Sequence, residues 1–181
     1  MDKKSFVNLH YKSAKDDIIA TYRIESRLGL ERAAIEVAAE SSIGTWTKLS
    51  TLTQKTFNRL APQIFFIDKK KKIVKIAYPI QLFELGSIPQ LLSALAGNIF
   101  SMKIIDNLRL EDLSLSTKYI NSFQGPYYGI SGVRKLTNIY KRPLIGSIIK
   151  PKVGLNSKQH ARLAYDVWVN GIDVVKDDEN L

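Results

Sequence analysis

The order of apolar segments predicts an α+β domain followed by the start of a parallel β/α architecture. Over residues 1–124 the patterns run strand, helix, two strands, helix, strand, an order typical of one sheet covered by helices. Gly125-Pro126 then interrupts the chain, as such pairs do between structural elements. Beyond it, two short apolar strands flank one helix, which is the βαβ unit of a parallel sheet or a (β/α)8 barrel.

The elements of the first region follow from side-chain type and spacing. Residues 17–25 are rich in β-branched and aromatic side chains, which predicts the first strand. Residues 28–41 carry apolar side chains at helical spacing before Gly44, which predicts a helix. The other predicted elements are a hairpin of residues 64–67 and 73–78, a helix over 89–98 and a strand over 102–115.

A run of four lysines, residues 69–72, lies at the tip of the predicted hairpin. It has two interpretations. It can form a phosphate-binding patch, or it can be a charged tip that keeps the hairpin solvated. The second interpretation is favoured.

The second region predicts a helix over residues 130–140, a strand over 143–149, a helix over 157–170 and a strand over 172–175. Asn156 and Gln159 have the spacing of a capping box at the start of the longer helix. Gly171 has the position that commonly ends one.

Composition excludes several classes of chemistry. The chain has 181 residues, no cysteine and two histidines, His10 and His160. Disulfides, a thiol nucleophile, Cys-ligated zinc and iron–sulfur clusters are therefore excluded. Two histidines far apart in sequence argue against a His-based metal site or a Ser/His/Asp hydrolase. Catalysis would have to use Lys, carboxylates, hydroxyls or the backbone.

The net charge of +10 raises the question of nucleic-acid binding. Lysine dominates over arginine, however, and arginine supplies the bidentate contacts of nucleic-acid readers. No run approaches the roughly 20 apolar residues that span a bilayer, and the N-terminus lacks an apolar signal segment. We expect a cytoplasmic protein without a membrane or nucleic-acid partner.

Lysines close both strands of the predicted βαβ unit. Lys150 ends the first strand and Lys176 follows the second, and side chains at the carboxyl ends of barrel strands point into the site. We therefore expect Lys150 and Lys176, at equivalent positions, to share one pocket. Surface lysines at the starts of loops are the alternative.

Acidic residues follow Lys176 directly. Alternate residues at a strand end face the same way, so Lys176 and Asp178 are predicted to project together, joined by Glu179 as the strand bends. Two carboxylates at a barrel mouth can hold Mg²⁺, which prefers oxygen ligands. An ammonium cannot bind a metal, so the lysine could join them only as a neutral amine or after conversion to a carboxylate-like group. Addition of CO₂ to the amine would give a carbamate, which supplies a third oxygen ligand. An acidic helix N-cap is the alternative interpretation.

Several motifs, in order and spacing, resemble the large chain of ribulose-1,5-bisphosphate carboxylase/oxygenase (RuBisCO), most closely its archaeal form III branch. Two of them surround the candidate lysines, at residues 146–155 and 171–180. The resemblance covers nearly the whole chain through four more, at residues 38–47, 96–100, 108–112 and 123–126.

The resemblance implies a carboxylase that adds CO₂ or O₂ to the Mg²⁺-bound enediolate of ribulose 1,5-bisphosphate. It implies that CO₂ carbamylates Lys176 on activation, and that this carbamate binds Mg²⁺ together with Asp178 and Glu179. Lys150 is implied to contact the substrate and to handle its protons. In the archaeal branch the substrate is implied to come from nucleotide (AMP) breakdown.

Further substrate-binding roles are implied in the same way. Lys152 lies beside the catalytic lysine of the family, and Thr45 and Trp46 match residues that help to bind one substrate phosphate. Glu40 and Asn98 match residues that complete the active site of the neighbouring subunit in an antiparallel dimer. A homodimer or a higher oligomer of large chains is therefore expected.

The chain departs from the plant-type pattern at two positions. Val174 stands where a phenylalanine is usual, which we interpret as a packing change. Ile148 stands where a threonine contacts the substrate, and isoleucine has no hydroxyl to make that contact.

Domain organisation follows from the same comparison. Residues 1–124 are expected to form the ferredoxin-like α+β sandwich of the N-terminal domain, and residues 125–181 a truncated start of the TIM barrel. Two strands cannot close a barrel, so we expect an N-terminal fragment or split-gene half, inactive without a C-terminal barrel segment.

Two other functions are compatible with the sequence. One is a RuBisCO-like enolase or isomerase acting on a sulfur-containing sugar phosphate, although such relatives commonly change substrate contacts that are kept here. The other is a catalytically inactive fragment that serves as a binding or assembly module, including a basic nucleic-acid binder.

Overall fold

The computed structural model describes residues 6–44 and 52–178 of the chain. The chain divides into two compact units, residues 1–124 and 125–181. Across the described residues, none of the helices is long and apolar enough to cross a bilayer.

The base of the first unit is a four-stranded antiparallel sheet of β1 (Ile18–Glu25), β2 (Gln63–Asp68), β3 (Ile73–Tyr78) and β4 (Asn107–Ser114). Their order across the sheet is β2-β3-β1-β4. The central strand β1 pairs with β3 on one side and with β4 on the other. Every second side chain of β1 is buried, so one face of the sheet lies in the core, as strand geometry requires.

Two helices, α1 (Leu30–Glu40) and α3 (Ile88–Ala96), bury apolar side chains in the same core as the sheet. The buried side of α1 is mostly alanine, which lets its backbone approach the sheet closely. On α3 the buried side chains are the larger Leu91 and Leu95. The α+β fold class and its predicted strand and helix order are therefore confirmed.

Two short helices, α2 (Gln54–Leu60) and α4 (Thr117–Ile120), were not predicted from the sequence. Each begins at a hydroxyl cap, Thr53 for α2 and Ser116 for α4, whose oxygen accepts a backbone N–H of the first turn. Only Phe57 of α2 is buried, so α2 presents no apolar periodicity for a sequence pattern to detect.

The last strand of this unit is shorter than predicted. A strand was expected over residues 102–115, whereas β4 spans Asn107–Ser114. A 3₁₀ turn (Asn98–Ser101) and further turns precede it. Residues 102–106 include apolar side chains that pack on the core from these turns. In the sequence, this apolar composition is the same as that of a strand, so the predicted strand began too early.

The lysine run forms the tip of the predicted hairpin between β2 and β3, and the hairpin is confirmed. The Lys71 backbone N–H donates to Asp68 at 2.9 Å, which closes the turn. Lys72 Nζ lies 2.8 Å from Glu25 Oε1 on β1, and this hydrogen bond is the main cause that lowers the pKa of Glu25. The ion pair and the exposure of the run fit a charged, solvated tip.

The second unit contains α5 (Gly129–Thr137), β5 (Gly146–Ile148), α6 (Ser157–Val169) and β6 (Val174–Lys176). The strands β5 and β6 pair in parallel, which confirms the predicted βαβ unit. At the start of α6, Asn156 and Gln159 exchange two hydrogen bonds, each of 3.0 Å. The predicted capping box is therefore confirmed.

An ion pair joins the segments that lead into β5 and β6. The Arg142 guanidinium contacts both carboxylate oxygens of Asp173, at 2.5 and 2.8 Å. The Ile145 N–H donates to the same carboxylate at 2.8 Å. The Arg142 hydrogen bond, followed by the Ile145 one, lowers the pKa of Asp173 to about 2.

We expect Asp173→Asn to remove a pH-dependent part of the stability. The folded pKa of Asp173 is below the unfolded value of about 4, so its contribution is complete above about pH 4 and is lost as pH falls towards 2. Urea denaturation between pH 2 and pH 6 should show a lower midpoint for the variant at pH 6, and a smaller difference from wild type at pH 2. Asp166→Asn is the control, since Asp166 forms an exposed pair with Arg162 inside α6. Equal acid sensitivity of wild type and Asp173→Asn would contradict the prediction.

Candidate active site

The residues predicted to form the site fall into two groups, one in each unit. Glu40 and Asn98 lie in the first unit, and the lysines with Asp178 lie in the second. Three predicted site residues, Thr45, Trp46 and Glu179, lie outside the described residues.

Glu40 and Asn98 come together although they are 58 positions apart in sequence. Glu40 is the last residue of α1, and Asn98 begins the 3₁₀ turn after α3. The Asn98 side-chain amide donates to Glu40 Oε1 at 2.6 Å. The pair leaves one carboxylate oxygen and the amide oxygen as acceptors for a polar ligand.

The position of Asn98 depends on a close approach at Gly97, the residue that ends α3. A Cβ at Gly97 would lie 2.1 Å from the carbonyl oxygen of Ser93, so only glycine fits. Ile99, which is fully buried, anchors the turn from the other side. The tight backbone contact at Gly97 on one side and the buried Ile99 on the other therefore fix the position of Asn98.

A surface cavity of about 420 Å³ opens beside this pair. Its lining includes Glu40, Asn98 and Lys103. A carboxylate, an amide and an ammonium thus line one concave surface, which is the composition of a site for a polar or anionic ligand.

In the second unit, the strand register decides which side chains meet. The parallel pairing sets Ile148 of β5 level with Lys176 of β6, so the expectation that Lys150 and Lys176 hold equivalent positions is wrong. By the same offset, Lys150 is level with Asp178, two residues beyond each strand end. The ion pair between Lys150 Nζ and Asp178 Oδ2 agrees with this register.

The exposure of these groups differs strongly. The Lys150 side chain is 60% exposed, whereas that of Asp178 is only 11% exposed. A carboxylate so far removed from water requires a cationic partner, which Lys150 provides. Lys176 ends β6 with an exposed side chain, and Lys152 is exposed in the loop between β5 and α6.

His160, for which the sequence predicts no role in the site, contacts this segment. Its Nε2 lies 2.7 Å from Asp177 Oδ1, between the candidate residues Lys176 and Asp178. The helix after a parallel strand starts at that strand's carboxyl end, so the first turn of α6 lies close to the end of β6. The capping box, which places His160 in that turn, was the available signal.

The donor chemistry at the end of β6 is suited to a hard cation. Among the described residues, no group of three or more histidine or acidic side chains forms a preassembled metal site. Asp178 supplies one carboxylate that already holds a cationic group. A carbamate on Lys176 would add oxygen ligands of the kind that Mg²⁺ prefers.

Two family models match the chain. The model of the ribulose bisphosphate carboxylase large chain, N-terminal domain, matches residues 5–119, and that of the catalytic domain of the same large chain matches residues 129–181. The chain belongs to the RuBisCO large-chain family. The resemblance inferred from the sequence motifs is thereby confirmed.

Curated members of the RuBisCO family from archaea are similar over nearly the whole chain. The ribulose bisphosphate carboxylase of Methanosarcina mazei is 48% identical over 99% of this chain and 42% of its own length. That of Methanocaldococcus jannaschii is 43% identical over 97% of this chain and 43% of its own. The chain thus spans less than half the length of these relatives.

Solved RuBisCO structures have the same fold over this part. The octameric enzyme of Pyrococcus horikoshii matches with a TM-score of 0.83 and 42% identity, over 99% of this chain and 43% of its own. The dimeric archaeal enzyme of Hyperthermus butylicus matches with the same TM-score, identity and coverage.

We expect Gly97→Ala to disturb the Glu40–Asn98 pair. The new methyl group would collide with the Ser93 carbonyl, and overpacking of this kind costs about 1–3 kcal/mol. Urea denaturation measures the loss, and the Asn98 side-chain amide signal in a ¹H–¹⁵N spectrum measures the displacement. In Gly146→Ala, the control, the added Cβ meets only an ordinary 3.8 Å contact. Wild-type stability and an unmoved Asn98 signal in Gly97→Ala would refute the steric argument.

Proposed function

We propose that this chain supplies part of the active site of a ribulose-bisphosphate carboxylase, which adds CO₂ or O₂ to ribulose 1,5-bisphosphate. The observation that carries the proposal is the grouping of Lys150, Lys176 and Asp178 at the carboxyl end of a parallel strand pair. In barrels of this kind, that end bears the catalytic residues. Family membership supplies the reaction class.

Lys176 is proposed to be the residue that CO₂ activates. The neutral amine of Lys176 adds to the carbon of CO₂, and a proton leaves the nitrogen for solvent, which gives a carbamate. The exposed position of Lys176 at the end of β6 makes the amine accessible to dissolved CO₂. The product carries negative charge beside Asp178, as a cation site requires.

The carbamate, Asp178 and Glu179 are proposed to hold Mg²⁺, which supplies positive charge that stabilises negative charge developing on the substrate oxygens. Lys150 is proposed to donate and accept protons at the substrate, because its flexible, exposed side chain already reaches the Asp178 carboxylate. Its neighbour Lys152, two residues on, is proposed to contact the substrate from the same loop.

His160 is proposed to steady the segment that bears these groups. Its contact with Asp177 ties the first turn of α6 to the residue between Lys176 and Asp178. Asp177 then cannot turn into the site and compete as a ligand.

Glu40 and Asn98 are proposed to complete the active site of a neighbouring subunit, where Thr45 and Trp46 bind one substrate phosphate. Support comes from the fixed pair beside an open cavity and from the octameric and dimeric relatives. An oligomer of large chains follows from this arrangement. Residues 1–124 and 125–181 are proposed to act as the N-terminal domain and the start of the barrel domain.

The remaining active-site residues are proposed to lie on a segment that corresponds to the part of the relatives that this chain does not span. The archaeal origin of the relatives supports nucleotide breakdown, such as AMP salvage, as the source of the substrate.

The proposal is tested in a chimera in which this chain replaces the aligned first part of the Methanosarcina mazei carboxylase. We expect Mg²⁺-dependent fixation of labelled CO₂ onto ribulose 1,5-bisphosphate. Lys176→Met should reduce it by at least about 10²-fold, the scale of losing a charge-stabilising group. Lys158→Met, on the exposed surface of α6, is the matched control. A chimera that folds and assembles but does not fix CO₂ would refute the proposed function.

Carbamylation can be measured without turnover. With ¹³C-labelled CO₂ and Mg²⁺, the chimera should show a carbamate carbon signal that Lys176→Arg abolishes, because the guanidinium cannot form it. Lys158→Arg should retain the signal. A spectrum unchanged by Lys176→Arg would show that CO₂ modifies a different amine.

A further inference from the structure

We propose that two buried tyrosines, Tyr22 and Tyr78, are positioning residues that fix the helix ends bearing Glu40 and Asn98. The inference rests on the proposed function for its catalytic meaning, but its geometry stands independently. Each tyrosine reaches from the sheet to one of the two helices. Together they set the separation across which the Glu40–Asn98 hydrogen bond forms.

Tyr78 holds the end of α1. It is the last residue of β3, its side chain is fully buried, and its hydroxyl lies 2.8 Å from Ser41 Oγ. Ser41 caps α1 directly after Glu40 and donates its own proton to the Val37 carbonyl at 2.6 Å. The contact is a hydrogen bond whichever of the two hydroxyls donates. The carbonyl end of α1 is thus bound to the sheet immediately beside Glu40.

Tyr22 holds the end of α3. Its hydroxyl donates to the Leu95 carbonyl at 2.7 Å, in the last turn of α3 and three residues before Asn98. Tyr22 lies on β1 and is fully buried. The hydrogen bond joins residues 73 positions apart, so it fixes tertiary structure rather than the helix itself.

Both hydroxyls remain protonated at physiological pH. Burial raises the pKa of Tyr78 to about 12 and that of Tyr22 well above its ordinary value, and the two side chains influence each other. Neither tyrosine therefore loses its donor proton near neutral pH. Among the described residues, every fully buried side-chain polar atom has a hydrogen-bond partner. Removing one hydroxyl takes a hydrogen bond out of the core, the one to Ser41 for Tyr78 and the one to the Leu95 carbonyl for Tyr22.

Apolar packing alone would not set this geometry. The core side of α1 is mostly alanine and valine, and such smooth contacts tolerate small shifts along a helix axis. The Glu40–Asn98 bond spans 2.6 Å, and a hydrogen bond is lost once its donor and acceptor are more than about 3.5 Å apart, which here takes a separation of about 1 Å. The directional bonds of Tyr22 and Tyr78 restrict that movement.

The test uses the ¹⁵N-labelled chain and the side-chain amide signal of Asn98, assigned by its loss in Asn98→Asp. In Tyr78→Phe and in Tyr22→Phe, solvent exchange of this amide should accelerate by about fivefold, the equivalent of about 1 kcal/mol. Phenylalanine keeps the aromatic ring, so ring-current effects are preserved. If Tyr78→Phe does not fold, Ser41→Ala removes the same bond from its other partner.

Tyr119→Phe is the matched control. Tyr119 is also buried, and its hydroxyl donates to the Ser87 carbonyl at 2.8 Å, at the opposite end of α3. This variant should lose similar stability and leave the Asn98 amide unchanged. An unchanged Asn98 amide in folded Tyr78→Phe and Tyr22→Phe would overturn the proposal, as would an equal response in Tyr119→Phe.

The catalytic consequence has a separate readout in the carboxylase chimera. Tyr78→Phe should lower kcat/KM by about fivefold, as its amide effect predicts, whereas Tyr119→Phe should not. Accelerated amide exchange in a chimera that never carboxylates would refute the proposed function and support the positioning of Asn98. Wild-type kcat/KM in Tyr78→Phe despite accelerated exchange would overturn the claim that the positioning of Asn98 supports catalysis.

Discussion

The first unit depends on the two-sided pairing of β1. This strand bonds to β3 and to β4, and its alternate side chains form the floor on which α1 and α3 pack. A shift of one residue in its register would turn Tyr22 to the solvent face and remove the bond to Leu95. The meeting of Glu40 and Asn98 on the surface is therefore a consequence of a register fixed in the core.

The second unit positions its residues by a different means. The register of β5 and β6 brings the carboxyl ends of the two strands together. Residues beyond the strands follow the same offset of 28 positions, which sets Ile148 level with Lys176. Lys150 and Asp178 lie two residues beyond the strands, so backbone pairing no longer holds them directly. Their ion pair and the contact of His160 with Asp177 hold these residues in place where the pairing of the short strands has ended.

Periodicity in the sequence was sufficient to predict the long helices and strands and the parallel βαβ unit. The core helices, β1 and the capping box at Asn156 follow from local patterns that tertiary packing reinforces. The helix α2 and the start of β4 could not be predicted, because α2 has one buried residue and the turns before β4 are apolar. The pairing of Lys150 with Asp178 depends on a register offset that no local pattern encodes.

The same distinction explains which site residues the sequence could identify. Lysines and acids at strand ends are recognisable, because their residue types and spacing already suggest chemistry. Tyr22, Tyr78 and Ser41 carry no such signal, since a buried tyrosine in a strand is indistinguishable from ordinary core packing. Their importance appears only when the hydroxyl partners are known, and those partners lie on other elements. Residues that position a site through the core must therefore be sought in the hydrogen bonds of the folded chain.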